Sequence, residues 1–298
     1  MRTASQITAF LLLLLSLPPA TGSEPLTYAR PELLAEPNAL LEHQQQDGWI
    51  VLDARDREDY DAAHVPGALW VDHDHWSDGF NELTAADWSK IIGNLGINEY
   101  SVVVVYDDNW SRHSARIWWI LRYWGVEEVK LLNGGWHQWQ AEAWPTSTHA
   151  SEPTPVSFTA LPRAELFAAR DQVLQALAGQ AWQIVDARSE EEHCGIDQGE
   201  HRHGGAIPGA VNLEWRSVVD QETYRYLPAD QLQALFDQAG IDLDRPSATH
   251  CASGGRAAVM VFAMELMGSD DVRNYYKGWT EWGNRDDTPI GVPPRPEG

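Results

Sequence analysis

Short runs of apolar, β-branched residues alternate along this chain with longer apolar or amphipathic stretches. The short runs, typical of buried strands, include WIVLDA at 49–54, SVVVVY at 101–106, WQIVDA at 182–187 and VRNYY at 272–276. The longer stretches, such as ARIWWILRYWG at 115–125 and RAAVMVFAMELMG at 256–268, have the length of helices. Strands that alternate with helices predict an α/β fold, in which helices cover both faces of a parallel sheet.

This alternating pattern occurs twice. The segment VLDARDREDY returns as IVDARSEEEH, and each copy continues to a Pro-Gly-Ala turn. Further along, SVVVVYDDNW corresponds to SATHCASGGR, where Asp107 precedes Gly135 by 28 positions and Cys251 precedes Gly278 by 27. An internal repeat of this kind predicts two copies of one α/β domain, each with its own parallel sheet.

The stretch between the two copies, TSTHASEPTPVSFTALP, is rich in Ser, Thr and Pro and has no helical period. Such a composition is typical of a linker. We therefore predict a first domain at 23–145, a linker at 146–162 and a second domain at 163–298.

The N-terminal residues 1–22 have the pattern of a cleavable signal peptide. Arg2 precedes an apolar run, and the small residues Ala20 and Gly22 follow it. No later segment approaches the roughly 20 apolar residues that a membrane-spanning helix requires. We therefore expect a periplasmic or secreted protein that does not span a membrane.

The charge of the chain narrows the choice of partner. The formal net charge is -23 at pH 7, which disfavours nucleic acid and anionic lipid. The chain has only two cysteines, Cys194 and Cys251, too few for a disulfide scaffold. A single bond between these two cysteines is left open.

The segment CASGGR, from Cys251 to Arg256, carries the candidate chemistry. It joins a strand to an apolar helix, and in parallel sheets ligands bind at the carboxyl ends of the strands. Small side chains let the loop curl so that its N–H groups surround the thiol. Together with the helix dipole and Arg256, they favour the thiolate. The sequence predicts a nucleophilic Cys251 whose sulfur is ionised and exposed at the mouth of the second domain.

The chain after residue 22 resembles the tandem rhodanese-type sulfurtransferases, in which only the C-terminal copy of the domain keeps the cysteine. The motifs that carry the resemblance in the second half are Asp186-Ala-Arg188 with Glu192, Ile207-Pro-Gly-Ala210, the loop Cys251–Arg256, and Lys277-Gly-Trp279 with Trp282. Those in the first half are Asp53-Ala-Arg55, His64-Val-Pro-Gly-Ala68, Tyr106-Asp107-Asp108 and Asn133-Gly-Gly-Trp136. Each motif is weak alone, but together, in order and duplicated, they are specific.

The resemblance implies a mechanism without a metal or an organic cofactor. Cys251 would take a sulfur atom from a small donor such as thiosulfate and pass it from a persulfide to cyanide or a thiol. Arg256 would orient the donor, and Glu192 is expected to form an ion pair with Arg256. The residues expected to bind the donor or the persulfide are Ala252, Ser253, Gly254, Gly255, Glu192, Asp186 and Trp279.

Departures from the family leave the substrate open. Ala252 and Ser253 are neutral where several thiosulfate enzymes are basic, and Glu192 occupies the position of a further arginine. A 3-mercaptopyruvate sulfurtransferase is therefore the second interpretation. A non-catalytic sulfur carrier or anion-binding module is the alternative from a different functional class. Arg256 follows Cys251 by five residues. Related phosphatase loops have six, so the shorter loop better fits a single sulfur atom than a phosphate group.

Other polar groups are given less specific interpretations. Cys251 as an inert buried thiol is kept as an alternative. A metal site is conceivable among the residues His193, Cys194, His201 and His203, but their spacing matches no ordinary zinc pattern, and a mobile surface insertion is preferred. Ser111, His113 and Ser114 are treated as loop residues. The first domain is expected to supply packing and one wall of the cleft.

Overall fold

The computed structural model describes residues 26–46 and 48–294. The predicted signal peptide at 1–22 lies outside the described residues. Within that part of the chain, no helix is both long and apolar enough to traverse a bilayer.

The first domain alternates strands and helices. Its strands are β1 (Leu34–Ala35), β2 (Ile50–Asp53), β3 (Leu69–Trp70), β4 (Val102–Tyr106) and β5 (Glu128–Leu132). Its helices are α1 (Pro37–Gln46), α2 (Arg57–Ala62), α3 (His73–Glu82), α4 (Ala85–Asn94), α5 (Arg112–Tyr123) and α6 (Gly135–Ala141). A 3₁₀ turn at Pro31–Leu33 precedes β1.

The second domain repeats this order. Its strands are β6 (Gln183–Asp186), β7 (Val211–Asn212), β8 (Ser247–His250) and β9 (Val272–Tyr275). Its helices are α7 (Arg170–Gly179), α8 (Glu190–His193), α9 (Ala229–Ala239), α10 (Gly255–Leu266) and α11 (Gly278–Trp282). Short 3₁₀ turns occur at Ala164–Leu166 and Trp215–Val218.

Both sheets of the described chain are parallel. The first has the strand order β1-β5-β4-β2-β3 and the second β7-β6-β8-β9. The last residue of β2, Asp53, pairs with Tyr106 in β4, and Asp186 in β6 pairs with His250 in β8. This register brings the Asp-Ala-Arg motifs and the residues Asp107 and Cys251, all of which lie at strand ends, to one edge of each sheet. The predicted α/β fold with two parallel sheets is confirmed.

The helix α10 is buried along its whole length from 257 to 266. Apart from Glu265, the buried residues of this helix are apolar on all sides. The reason is that the helix packs on its own sheet and on α5 of the first domain, so no face is left for solvent. Between the two helices, the rings of Trp118 and Phe262 meet edge to face at 4.9 Å. The one buried carboxylate of α10, Glu265, pairs with Arg122 of α5 at 2.7 Å.

The largest cluster of buried apolar residues runs through both domains instead of forming two separate cores. The N-terminal segment also crosses the interface, since the N–H of Arg30 donates to the carbonyl of Leu266 at 3.1 Å. An apolar interface of this kind fixes the position of one domain relative to the other. Residues of the first domain can therefore form a permanent part of a site in the second.

In each domain, the last strand along the chain is followed by a tight turn at a glycine. This turn packs against the loop that follows the preceding strand. In the first domain, Gly135 has φ +53°, and a Cβ there would lie 2.3 Å from the carbonyl oxygen of Asp107. In the second, Gly278 has φ +48°, and its Cβ would lie 2.2 Å from the carbonyl oxygen of Cys251. No other residue type fits at such a close approach of two backbone segments.

We expect the substitution Gly135→Ala to lower the free energy of unfolding by about 2 kcal/mol or more, because the left-handed φ and the backbone clash both oppose a side chain. Urea denaturation followed by circular dichroism measures this. The control is Gly179→Ala at the end of α7, where a Cβ would meet nothing within 4 Å. That change is expected to be neutral or to stabilise by up to about 1 kcal/mol. Equal effects at both positions would contradict the assignment.

Candidate active site

Cys251 directly follows β8 at the carboxyl edge of the second sheet. The carbonyl of Cys251 accepts from the N–H of Trp279 at 2.7 Å, and that of Ala252 accepts from Thr280 at 3.0 Å. These bonds turn the carbonyls of the loop towards α11. Across the described chain, the backbone N–H groups of 252–257 have no protein acceptor. The loop therefore offers several free donors at the N-terminus of α10, which suits an anion.

The corresponding loop of the first domain shows how such donors are used. Asp107 occupies the position of Cys251, and its carboxylate accepts from the N–H groups of Asn109, Ser111, His113 and Ser114 at 2.7–3.0 Å. The first domain thus fills its loop with a negative charge of its own. The repeat indicates that the second loop is also shaped for a negative charge.

Cys251 is less accessible than the sequence predicted. The residue is only 1% exposed, not open at the mouth of the domain. It nevertheless forms part of the wall of a cavity of about 390 Å³. Because Cys251 is buried and lines this cavity, the cavity is the route by which a small reagent would approach the residue.

Residues of both domains line the cavity, among them four arginines. The wall is formed by Arg112, Arg116, Glu214, Trp215, Arg216, Cys251, Ala252, Ser253 and Arg256. Of the residues that the sequence singled out, the cavity thus brings together Cys251, Ala252, Ser253 and Arg256. Gly254 and Gly255 form the turn into α10 and are not part of the wall.

The predicted ion pair between Glu192 and Arg256 is confirmed. The two side chains form a bidentate pair with N–O distances of 2.5 and 2.8 Å, and about a fifth of each is exposed. Glu192 is fixed because α8 begins with a capping box, in which its carboxylate accepts from the N–H of Ser189. Burial raises the pKa of Glu192, but the hydrogen bond and charge of Arg256 outweigh burial and lower it.

Arg256 lies between Glu192 and the active-site loop. Burial by itself would lower the pKa of Arg256, but the hydrogen bond to Glu192 and the negative charge of that carboxylate raise it. The guanidinium is thus held as a permanent cation beside the cavity, in a geometry that Glu192 fixes.

Two residues predicted to bind substrate, Asp186 and Trp279, lie in the protein interior and not on the cavity wall. Asp186 accepts two bonds from Arg188, at 2.9 and 2.6 Å, and the guanidinium of Arg188 lies 4.2 Å from the ring of Trp279. The first domain contains the same arrangement of Asp53, Arg55 and Trp136, with 4.1 Å between guanidinium and ring. Because the same arrangement of Asp, Arg and Trp occurs in the domain that has no nucleophile, we assign it a structural role.

Other residues of the cavity were not foreseen from the sequence. They are Arg112, Arg116, Glu214, Trp215 and Arg216. Arg112 and Arg116 lie four residues apart at the start of α5, so they share one face of the helix. The signal was present in SRHSAR, the stretch of the first repeat that corresponds to the end of the Cys251 loop. Only the packing of α5 against α10 shows that this face points into the cavity.

The structure also shows the surroundings of the cysteines and histidines for which alternatives were left open. Cys194 and Cys251 are not bonded to each other. Within the described residues, no group of three or more His, Cys, Asp or Glu side chains is placed to hold a metal ion. The ring of His193 points inwards and bonds to Asp186 at 2.9 Å. The following insertion packs on the segment after α11, where the N–H of His203 donates to the carbonyl of Gly283.

The family model for the rhodanese-like domain matches residues 36–142 and 169–285. The chain belongs to the rhodanese family. A thiosulfate sulfurtransferase of Rattus norvegicus is 32% identical to it over 239 residues, which cover 77% of this chain and 80% of that protein. A sulfur carrier protein, TtuD of Thermus thermophilus, is 31% identical over 283 residues, 89% of this chain and 97% of that protein.

Solved structures agree. SseA from Escherichia coli, described as a 3-mercaptopyruvate sulfotransferase, superposes with a TM-score of 0.74 at 29% identity and covers 83% of this chain and 98% of its own. These relatives establish a sulfurtransferase family with two rhodanese-like domains. They differ in the donor that their names specify, so the choice of donor rests on the site itself.

We expect Glu192→Gln to lower the free energy of unfolding by about 1–2 kcal/mol at pH 7, since the ion pair with Arg256 is lost. Because the folded-state pKa of Glu192 lies below its ordinary value of 4.5, the stabilisation is complete above pH 4.5 and disappears as the pH falls through the folded-state value. The difference between variant and wild type should therefore shrink in acid. Urea denaturation at several pH values measures it.

The matched control for this experiment is Glu152→Gln in the linker, because Glu152 is exposed. This control should leave stability unchanged at every pH. A difference between the Glu192 variant and wild type that stays constant down to pH 3 would contradict the assignment.

Proposed function

We propose that this rhodanese-family protein transfers sulfane sulfur from thiosulfate, or a similar small anionic donor, to a thiophilic acceptor through a persulfide on Cys251. The thiolate attacks the outer sulfur of thiosulfate, the sulfur–sulfur bond of the donor breaks, and sulfite leaves with the bonding electrons. Cyanide or a thiolate then attacks the outer sulfur of the persulfide and regenerates the Cys251 thiolate. Charge and electrons balance in both steps without a redox cofactor.

The observation that carries the proposal is the environment of Cys251. It occupies the position at which the first domain places the carboxylate of Asp107, and the amides of 252–257 have no protein acceptor in the described chain. The thiolate and the persulfide are both anions, so the same donors would stabilise each of them.

The charge near the thiol comes from arginines and not from the neighbouring histidine. His250 is fully buried, and burial lowers its pKa to about 4, so its ring is neutral at pH 7. Arg112, Arg116, Arg216 and Arg256 line the cavity, against a single carboxylate, that of Glu214. This balance favours a dianionic donor such as thiosulfate over the monocarboxylate 3-mercaptopyruvate.

We expect Cys251→Ser to reduce the rate of sulfite release from thiosulfate and cyanide by more than about 1,000-fold, because the alcohol cannot form a persulfide. Intact-protein mass spectrometry should detect one added sulfur atom on the wild type and none on this variant. The control is Cys194→Ser, which changes the other cysteine, outside the cavity, and should keep the activity. Equal loss in both variants would argue against Cys251 as the nucleophile.

We further expect kcat/KM to be higher with thiosulfate than with 3-mercaptopyruvate, and to fall more steeply for thiosulfate as the ionic strength rises, since salt screens the attraction between a dianion and the arginines. Steady-state assays of both donors over a range of salt concentrations measure this. A higher kcat/KM with 3-mercaptopyruvate would instead favour a 3-mercaptopyruvate sulfurtransferase. A persulfide that forms but never turns over with cyanide or small thiols would favour a non-catalytic sulfur carrier.

A further inference from the structure

Only one of the four cavity arginines has a counter-charge within the described residues, and two of them have no hydrogen-bond partner there either. Arg256 is paired with Glu192, and Arg116 donates to the carbonyl of Ser253 at 3.1 Å and to the hydroxyl of Ser77. In contrast, the guanidinium groups of Arg112 and Arg216 form no hydrogen bond or ion pair with any residue of 26–46 and 48–294. The two come from opposite sides of the domain interface, Arg112 from α5 and Arg216 from the turn at 215–218.

An unpaired, half-buried arginine among other cations is electrostatically unfavourable in the empty protein. Burial and the charges of Arg116, Arg256 and Arg216 all lower the pKa of Arg112. The chain has 44 Asp and Glu residues and only 21 Lys and Arg, so a lack of carboxylates in general does not explain the missing partner. A bound anion would relieve the repulsion between these groups.

Arg216 is held in place although it is exposed. Its guanidinium lies 4.5 Å from the ring of Trp110, in the first domain, and 5.1 Å from that of Trp215. Stacking fixes the plane of the guanidinium and leaves its N–H edge available for hydrogen bonds to an oxyanion. The backbone just before Arg112 and α5 is in the left-handed region, with φ of +48° at Trp110 and +64° at Ser111.

We propose that Arg112 and Arg216 together bind the charged end of the sulfur donor, the sulfonate that leaves as sulfite, while Cys251 attacks the outer sulfur. The inference rests on the proposed function and deepens it. The first domain, which has no nucleophile, then supplies half of the donor site, and the loop from Cys251 to Arg256 binds the transferred sulfur.

The test is a comparison of Arg112→Ala, Arg216→Ala and the double variant with wild type. Each single change should raise the KM for thiosulfate about tenfold and leave kcat within about twofold, because the donor carries its charge before and during the reaction. Arg112→Lys should restore part of the affinity, since it keeps the charge. The control Arg57→Ala removes a cation whose ion pair with Asp61 is exposed and lies outside the cavity, and should change neither constant.

A binding experiment separates this inference from the proposed function. In the Cys251→Ser background no turnover occurs, and isothermal titration with sulfite reports the anion site alone. Adding Arg112→Ala should weaken sulfite binding about tenfold, while Arg57→Ala should not change it. Unchanged KM and unchanged sulfite affinity in the Arg112 and Arg216 variants would overturn the inference, even if wild type forms the persulfide.

If wild type forms no persulfide but sulfite binding still depends on Arg112, the anion site stands and the proposed transfer fails. Circular dichroism and the denaturation midpoint of each variant confirm that it is folded. If Arg112→Ala does not fold, the comparison of Arg112→Gln with Arg112→Lys replaces it, because both keep a long side chain and only one keeps the charge.

Discussion

The backbone N–H groups where a central strand turns into the next helix require an anion, and both domains are built around that requirement. In the first domain the carboxylate of Asp107 accepts four of these groups and closes the loop. In the second, Cys251 stands at the same position, with a side chain too short and too weak an acceptor to satisfy them all. The N–H groups of this loop are therefore satisfied by a carboxylate in the first domain, while those of 252–257 in the second domain have no acceptor in the described chain.

The packing of α5 against α10 gives the first domain a role in the site of the second. The interface is apolar and continuous with both cores, so it holds the start of α5 at a fixed distance from Cys251. Across this interface, Arg112 and Arg116 add to the positive charge that Arg256 contributes from the Cys251 loop itself. A strongly acidic protein thereby has a local cluster of cations around the cavity that Cys251 lines.

The sequence was most informative where the relevant residues lie at fixed offsets from a strand end. The ion pair between Glu192 and Arg256, which the family resemblance implied, is present because Glu192 follows β6, Arg256 follows β8, and adjacent parallel strands bring both to one edge. The prediction that Cys251 is exposed was wrong, because the burial of a side chain depends on long-range packing that a local motif does not describe. Asp186 and Trp279 were assigned to the substrate as members of the motifs that carry the family resemblance, yet their partners are in the core.

The amino-acid sequence by itself determined the repeat, the α/β class, the identity of the one thiol at a sheet edge and the family of the protein. These follow from local periodicity and from short motifs, in which neighbours along the chain are also neighbours in space. Only the tertiary structure decided which cations surround that thiol and how a reagent reaches it. Arg112 meets Cys251 across the domain interface, and Arg216 reaches the same cavity from a separate turn of the second domain. No local pattern records which of these surfaces pack together.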